Sequence, residues 1–180
     1  MYRKLTAALV ALALLTPACG GGDEGGGGGD AREAEGSLYT VSLPEGWRDS
    51  TDDDAADEVP IKFDRLFTSD RVEGFTVNVN VIREPKPDAD IEEIVAAGQK
   101  QLEGGFGATD LSPPDKRELG GDAAFSYTYT LEQGERTLRG EQVAAVHEDR
   151  LFTVTLTAPE QAFEDQEPEF QEILDSWEWK

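Results

Sequence analysis

Residues 121–157 contain the stretch that decides the fold, GDAAFSYTYTLEQGERTLRGEQVAAVHEDRLFTVTLT. Apolar side chains alternate with serine and threonine through residues 123–132 and 150–157, and a period of two is the pattern of a β-strand with one buried face. The short polar segments EQGE (132–135) and ED (148–149) separate three such runs by hairpin-sized gaps. This stretch therefore predicts an antiparallel meander of three strands.

Three more strands are predicted before the meander. Residues 38–43 and 75–82 alternate clearly, and residues 61–67 alternate with Phe63 and Phe67 on one side. A helical period follows at residues 91–102, where Asp90 and Glu93 have the spacing of a capping box and the glycine pair at 104–105 marks the stop.

A second helix is predicted to start near Glu160, with a break or restart at Pro168 because proline lacks the helical N–H. The order of three strands, a helix, three strands and a helix predicts an α+β fold for residues 37–180. We expect a single antiparallel sheet of about six strands with helices packed on an apolar face.

The N-terminus has the order of a secretory signal, with Arg3 and Lys4 followed by an apolar run at residues 5–15. This run rises only about 16 Å as a helix, against the roughly 30 Å of a bilayer core. The motif LTPACG, at residues 15–20, resembles a bacterial lipobox, in which the cysteine receives a diacylglyceryl group and becomes the first residue. Residues 1–18 are therefore predicted to be a lipoprotein signal peptide, and Cys19 the lipidated residue.

The segment after Cys19 is dominated by glycine and acidic residues, with nine glycines among residues 20–36. Such a composition predicts a flexible tether, residues 19–36, between the membrane and the domain. The predicted location is the extracytoplasmic face of the cell membrane. An ordinary secretory signal that merely adjoins a thiol is the alternative.

Composition excludes several classes of function. The chain carries 38 acidic and 16 basic residues, a net charge of −22, which disfavours a nucleic-acid partner. Loss of the signal removes Arg3 and Lys4, which brings the exported chain to −24. One cysteine forms no internal disulfide, and one histidine excludes sites that need two imidazoles. We predict a monomer with no cofactor, no metal site and no catalytic residue.

Three segments of the chain resemble the PsbP-like fold: LYTVSLPEGW at residues 38–47, GDAA at 121–124 leading into Tyr127, and FQEILDSW at 170–177. Small bacterial lipoproteins of the LpqN type share this layout. The resemblance implies an α/β/α sandwich and a non-enzymatic role, since members of the fold serve mainly as binding or assembly-assisting modules. It transfers no functional residue, because the shared positions belong to turns and the core.

Polar residues alternate with apolar ones on three predicted strands and form the candidate partner-binding face, for an envelope protein or a polar polymer. The candidate residues are Thr76, Asn78, Asn80, Ser126, Thr128, Thr130, Thr153 and Thr155, with Thr157 in the same pattern. A solvated β-surface is the competing interpretation, because threonine is simply a good strand residue.

Other patterns lead to two further hypotheses. The acidic run at residues 49–58 could bind calcium, yet it lacks EF-hand spacing, and a solvated loop is the alternative. His147 could join Ser126 or Asp149 in a hydrolytic triad, but the chain has no G-x-S-x-G elbow. The sequence thus favours a membrane-anchored, non-enzymatic envelope module, with a carrier of an apolar ligand between sheet and helices as the alternative.

Overall fold

The computed structural model describes residues 32–53 and 62–180, which form ten strands, two α-helices and one π-helix. In chain order these are β1 (Arg32–Glu35), β2 (Tyr39–Leu43), β3 (Arg48–Asp49), β4 (Arg65–Val72), β5 (Phe75–Pro85), α1 (Ile91–Gln101), the π-helix (Leu102–Phe106), β6 (Asp115–Leu119), β7 (Asp122–Gln133), β8 (Arg136–His147), β9 (Arg150–Pro159), α2 (Glu160–Asp175) and β10 (Glu178–Trp179). The predicted signal peptide, Cys19 and residues 54–61 lie outside the described residues.

The strands form two antiparallel sheets. The large sheet has seven strands in the order β3-β4-β5-β9-β8-β7-β6, and the small one has three in the order β1-β2-β10. The predicted α+β class and the meander of β7, β8 and β9 are confirmed. The prediction of a single six-stranded sheet is wrong, because β1, β3, β6 and β10 are short or exposed strands with little alternation.

The large sheet is the central layer of an α/β/α sandwich. One face, which we call the α2 face, carries Val79, Val143 and Val154 and packs against the small sheet and α2. The opposite α1 face carries Tyr127 and Tyr129 and packs against α1 and the π-helix. Both faces are therefore buried, which gives the domain two apolar layers.

Strand β1 lies inside the segment predicted to be tether. It pairs with β2 in register from Arg32 opposite Leu43 to Glu35 opposite Thr40. Only Ala34 of its four side chains is buried, so backbone hydrogen bonds rather than apolar burial define this strand. The folded domain therefore begins at least five residues earlier than the predicted boundary at residue 37.

Helix α1 starts at the predicted residue but without the predicted cap. Asp90 has extended backbone at the N-cap position and makes no side-chain capping hydrogen bond. The helix continues past residue 101 as a π-helix of five residues, and the chain then turns at Gly107, whose φ is +70°. The left-handed conformation required there suits glycine and ends the helix.

Helix α2 is continuous through Pro168, so the predicted break is wrong. Pro168 is exposed, whereas Phe163 and Phe170 on either side of it are buried against the sheet. Burying two phenylalanine side chains stabilises more than the roughly 3 kcal/mol that an internal proline costs. No helix among the described residues is long and apolar enough to cross a membrane.

Candidate functional site

The predicted polar residues lie on two opposite faces of the large sheet. Asn80 lies opposite Thr155, Thr155 opposite Gln142, and Gln142 opposite Tyr127. Residues directly opposite each other in a sheet project to the same side. Ser126, Thr128 and Thr130 alternate with Tyr127 and Tyr129, so they project to the other side. The single polar face predicted from the three strands therefore does not form.

A buried row of amides and hydroxyls lies on the α1 face, and we call it the polar band. It comprises Asn78, Asn80, Gln142, Thr153, Thr155 and Thr157. None of these residues is more than 2% exposed. The band is neither an open binding surface nor the solvated surface of the alternative interpretation. A partner would reach it only if the layer above the sheet moved, so its predicted role in binding stays a prediction.

Hydrogen bonds satisfy part of this band. Tyr127 donates its hydroxyl hydrogen to Gln142 Oε1, and Gln142 Nε2 donates to Thr155 Oγ1 at 3.1 Å. Burial, followed by the neighbouring Tyr129, raises the pKa of Tyr127, so its hydroxyl stays protonated as a donor. Asn78 Oδ1 and Thr157 Oγ1, on residues directly opposite each other, are buried without a hydrogen-bond partner in the described part of the chain.

Thr76 is only partly buried and lies opposite Arg71 of β4, outside the polar band. The other three candidates, Ser126, Thr128 and Thr130, lie on the α2 face beside a charged cluster. Thr128 is directly opposite Glu141 on β8. Arg117 of β6 reaches across β7, placing Nη1 3.2 Å from Glu141 Oε1 and donating from Nη2 to Gln171 Oε1 of α2 at 2.7 Å. This cluster ties two strands of the large sheet to α2.

Glu141 is the most perturbed carboxylate of this cluster. Burial is the main cause that raises the pKa of Glu141, and the charge of Glu167 adds to it. The positive charge of Arg117 and the hydrogen bond to Gln171 act in the opposite direction. Glu141 Oε2 and Arg117 Nε are both buried without a hydrogen-bond partner among the described residues, which is consistent with incomplete solvation of the pair.

The contacts of His147 are with Asp122 and Trp179 and are not those of the predicted hydrolytic triad with Ser126 or Asp149. Its Nδ1 lies 2.7 Å from Asp122 Oδ2, and its ring stacks on Trp179 with 4.2 Å between centroids. Trp177 is buried and stacks on Tyr39 at 3.9 Å. The imidazole therefore joins the last residues of the chain to the start of β7.

The described part of the acidic run is engaged in local bonds. Asp49 Oδ1 accepts hydrogen bonds from the Thr51 N–H and hydroxyl, and Asp53 pairs with Arg48 at 2.8 Å. Across residues 32–53 and 62–180, no group of three or more His, Cys, Asp or Glu side chains could hold a metal ion. The other acids of the run, Asp54, Asp57 and Glu58, lie outside the described residues, so the calcium hypothesis stays untested.

A surface groove beside α1 was missed by the sequence analysis. It has a volume of 380 Å³ and lies between Ala96, Lys100 and Glu103 of the helical segment and the chain at residues 111–113. Phe106, which is 42% exposed, lies at the end of the same segment. The signal that could have revealed the groove is the spacing of residues 96, 100 and 103, which are all exposed. They lie beside a glycine-rich stretch that was interpreted only as a helix stop.

Comparisons with known proteins agree with this fold. The DcrB family model matches residues 35–176. Cyanobacterial PsbP (CyanoP) from Synechocystis sp. PCC 6803 is similar in structure, with a TM-score of 0.59 and 18% identity over 88% of this chain and 98% of CyanoP. LpqN of Mycobacterium tuberculosis, described as involved in cell envelope biogenesis, has a TM-score of 0.58 and 14% identity over 83% of this chain and 90% of LpqN. No curated protein sequence matches the chain significantly.

Proposed function

The chain belongs to the DcrB family, and from that premise we propose that it is a lipid-anchored accessory protein of the cell envelope. Its domain would bind or assist another envelope component without catalysing a reaction. The observation that carries the proposal is the lipobox-like motif with the chain's single cysteine, Cys19, which only 12 residues separate from the start of β1 at Arg32. The cell-envelope role stated for LpqN, which shares the fold, supports the same location.

The side chains that could do chemistry support a non-enzymatic role. His147 is held between Asp122 and the Trp179 ring, and Glu141 is buried against Arg117 and Gln171. Catalysis requires such groups to be poised at a cleft that admits a substrate. In this domain both groups instead connect strands, α2 and the C-terminal residues.

The anchor is tested by replacing Cys19 with alanine in the native host. We expect the unchanged protein in the membrane fraction and labelled by an alkyne analogue of palmitate, and the variant unlabelled and released from the membrane. Gly22→Ala is the matched control, because it alters the same segment and leaves the thiol in place. Persistent membrane association of the Cys19→Ala protein at the level of the control would contradict the proposal.

The carrier hypothesis has weaker support. Ile94, Val95 and Leu102 pack in one cluster with Tyr127 and Tyr129, so α1 lies directly on the sheet. Next to this cluster the sheet presents the amides and hydroxyls of the polar band, which an apolar ligand would leave unsatisfied. Organic extraction of the purified protein followed by mass spectrometry tests it, and a stoichiometric lipid would favour the carrier over the accessory module.

A further inference from the structure

The margin of the large sheet beside α2 carries a row of hydroxyl groups, which we call the β7 shelf. It consists of Ser126, Thr128 and Thr130 on the α2 face of β7 and is about 14 Å long. Helix α2 packs mainly on β8, β9 and β2, so the shelf lies beside the helix and not beneath it. Ser126 and Thr128 are partly exposed. In the described part of the chain, the three hydroxyl groups make no hydrogen bond.

One side of α2 borders the shelf, and we call it the acidic flank. Its residues follow one another at spacings of four, three and four, which a regular α-helix brings to one side. They are Glu160, Glu164, Glu167 and Gln171. Arg117 of β6 donates to Gln171 at 2.7 Å, so this side of the helix faces β6 and β7. The three glutamates are exposed and form no ion pair within residues 32–53 and 62–180.

The charges of α2 oppose its own stability. The helix contains seven acidic residues and no basic one, whereas the 16 residues of α1 and the π-helix contain three acidic residues and one basic. Glu160 and Glu164 are like charges one helical turn apart, which destabilises a helix. Asp175 lies at the C-terminal end, where the helix dipole disfavours a negative charge. Cations supplied from outside the chain would relieve this repulsion.

A buried carboxylate lies where the acidic flank meets the shelf. Glu141 is directly opposite Thr128, and its side chain is only 7% exposed. Its Oε2 atom has no hydrogen-bond partner among the described residues. Burial and, after it, the charge of Glu167 raise the pKa of Glu141, so Arg117 compensates this carboxylate only in part. A second cation beside Oε2 would complete the compensation.

Negative charge dominates the whole border of the shelf. Arg139 lies opposite Thr130, with its guanidinium 4.8 Å from the centre of the Phe163 ring, and Arg117 crosses the shelf toward Glu141. These two cations face five carboxylates, those of Asp115, Glu141, Glu160, Glu164 and Glu167. The border therefore favours a cationic partner over a neutral or an anionic one.

From these features we propose that the β7 shelf and the acidic flank together form the docking surface for a basic, extended segment of another envelope protein. The proposal rests on the accessory role proposed above and names the class of partner. Four or five residues of an extended chain match the length of the shelf. Their peptide groups hydrogen-bond to the hydroxyls of Ser126 and Thr128, and their lysine or arginine side chains reach the flank and Glu141 Oε2. A neutral polymer would bond to the hydroxyls but leave the repulsion along α2 unchanged.

A fluorescent peptide of eight residues that alternate lysine and serine serves as the probe. Its binding to the full chain in non-ionic detergent, at about 0.15 M NaCl, is measured by fluorescence anisotropy. We expect saturable binding with a Kd below about 1 mM. A peptide with glutamine in place of lysine should bind at least about tenfold more weakly, because it lacks the charge that the flank requires.

Two triple variants change the net charge equally on opposite faces of the domain. The first alters the acidic flank through Glu160→Gln, Glu164→Gln and Glu167→Gln. The second alters exposed positions of α1 and the π-helix through Glu92→Gln, Glu93→Gln and Glu103→Gln. We expect the first to weaken binding by about tenfold or more and the second by less than about threefold. Equal weakening by both would reveal only a general attraction to an acidic protein and would overturn the proposal.

Thr128→Lys places a cation on the shelf itself. It should weaken binding by about tenfold or more, because the new side chain occupies the shelf and pairs with its carboxylates. Gln133→Lys is the matched control, because it adds the same charge at a partly exposed residue on the opposite face of β7. This control should change binding by less than about threefold.

Three further results would each overturn the proposal: no saturable binding up to about 1 mM peptide, equal binding of the glutamine peptide, or a Thr128→Lys protein that binds as well as the Gln133→Lys protein. Equal binding of the glutamine peptide would instead indicate a neutral polymer as the partner. The peptide assay does not depend on the lipid. Its failure would therefore leave the anchor intact, and failure of the Cys19→Ala test would leave peptide binding intact.

Discussion

At the scale of single residues, Gly140 decides how Tyr129 packs. A Cβ at residue 140 would lie 2.4 Å from Tyr129 Cζ, and the Tyr129 ring is buried. We expect Gly140→Ala to lower the free energy of unfolding by about 1–3 kcal/mol, because the ring cannot move away without disturbing the α1 layer. Urea denaturation measures this change.

Gly104→Ala makes the same chemical change where a Cβ meets nothing within 4 Å. It should leave the free energy of unfolding unchanged or raise it by up to about 1 kcal/mol. Equal destabilisation by the two substitutions would show that close packing against Tyr129 is not the reason for glycine at residue 140.

Glu141 should make stability depend on pH in an unusual direction. Burial raises the pKa of Glu141 in the folded state above its ordinary 4.5, so the folded chain holds this proton more tightly than the unfolded chain. The contribution of this group to stability is therefore greatest at low pH and is lost as the pH rises from 4.5 through the folded pKa. Glu141→Gln keeps the shape and removes the titration.

Relative to the unchanged chain, the Glu141→Gln variant should thus become more stable as the pH rises above 4.5. The difference between their free energies of unfolding should then level off. Denaturation at a series of pH values measures this difference. Asp165→Asn, on the exposed side of α2, is the matched control, because it makes the same change from carboxylate to amide away from Arg117 and Gln171. A flat difference for Glu141→Gln, or a shift in the opposite direction, would contradict the assigned environment.

At the scale of elements, the sequence predicts those strands whose side chains carry the signal. The meander was predictable because polar and apolar residues alternate along the strands on both sides of short polar turns. Each turn contains one residue in the left-handed conformation, Gly134 at φ +63° and Glu148 at φ +51°. Strands β3 and β10 have two residues each, and β1 buries only one side chain. Backbone pairing with a neighbouring strand creates these elements, and periodicity cannot reveal such pairing.

The candidate site shows the same limit. Alternation correctly separates the polar from the apolar side of each strand, but it does not say which sides of neighbouring strands coincide. Ser126 lies opposite Val143, and Val143 opposite Val154, so the threonine and serine side of β7 falls on the apolar side of β9. A register shift by one residue would have united the polar residues on one face.

Helix α2 provides a prediction at this scale, because it contains Pro168 without a break. Pro168→Ala restores a backbone N–H in the helix interior and removes the clash of the ring with the preceding turn. We expect the free energy of unfolding to rise by about 1–3 kcal/mol in thermal denaturation. Glu164→Ala, one turn earlier on the exposed side, is the control and should change it by less than about 0.5 kcal/mol. Destabilisation by Pro168→Ala would mean that the buried side of α2 depends on a bend at the proline.

At the scale of the whole molecule, the acidic excess opposes folding. Five ion pairs between Lys or Arg and a carboxylate form among the described residues, which contain 32 of the 38 acidic side chains. Most carboxylates therefore have no cationic partner, and their mutual repulsion is larger in the compact state than in the unfolded chain.

Salt should therefore stabilise the protein by screening. Raising NaCl from about 0.05 to 0.5 M shortens the screening length to a few ångströms, and we expect the melting temperature to rise by about 2–5 °C. KCl at equal ionic strength should give the same rise, because screening depends on charge and concentration alone. A millimolar calcium salt at constant ionic strength separates screening from specific binding, since an additional rise would indicate that the folded chain binds calcium specifically. A melting temperature that falls with NaCl would show that the surface ion pairs outweigh the repulsion of the excess acids.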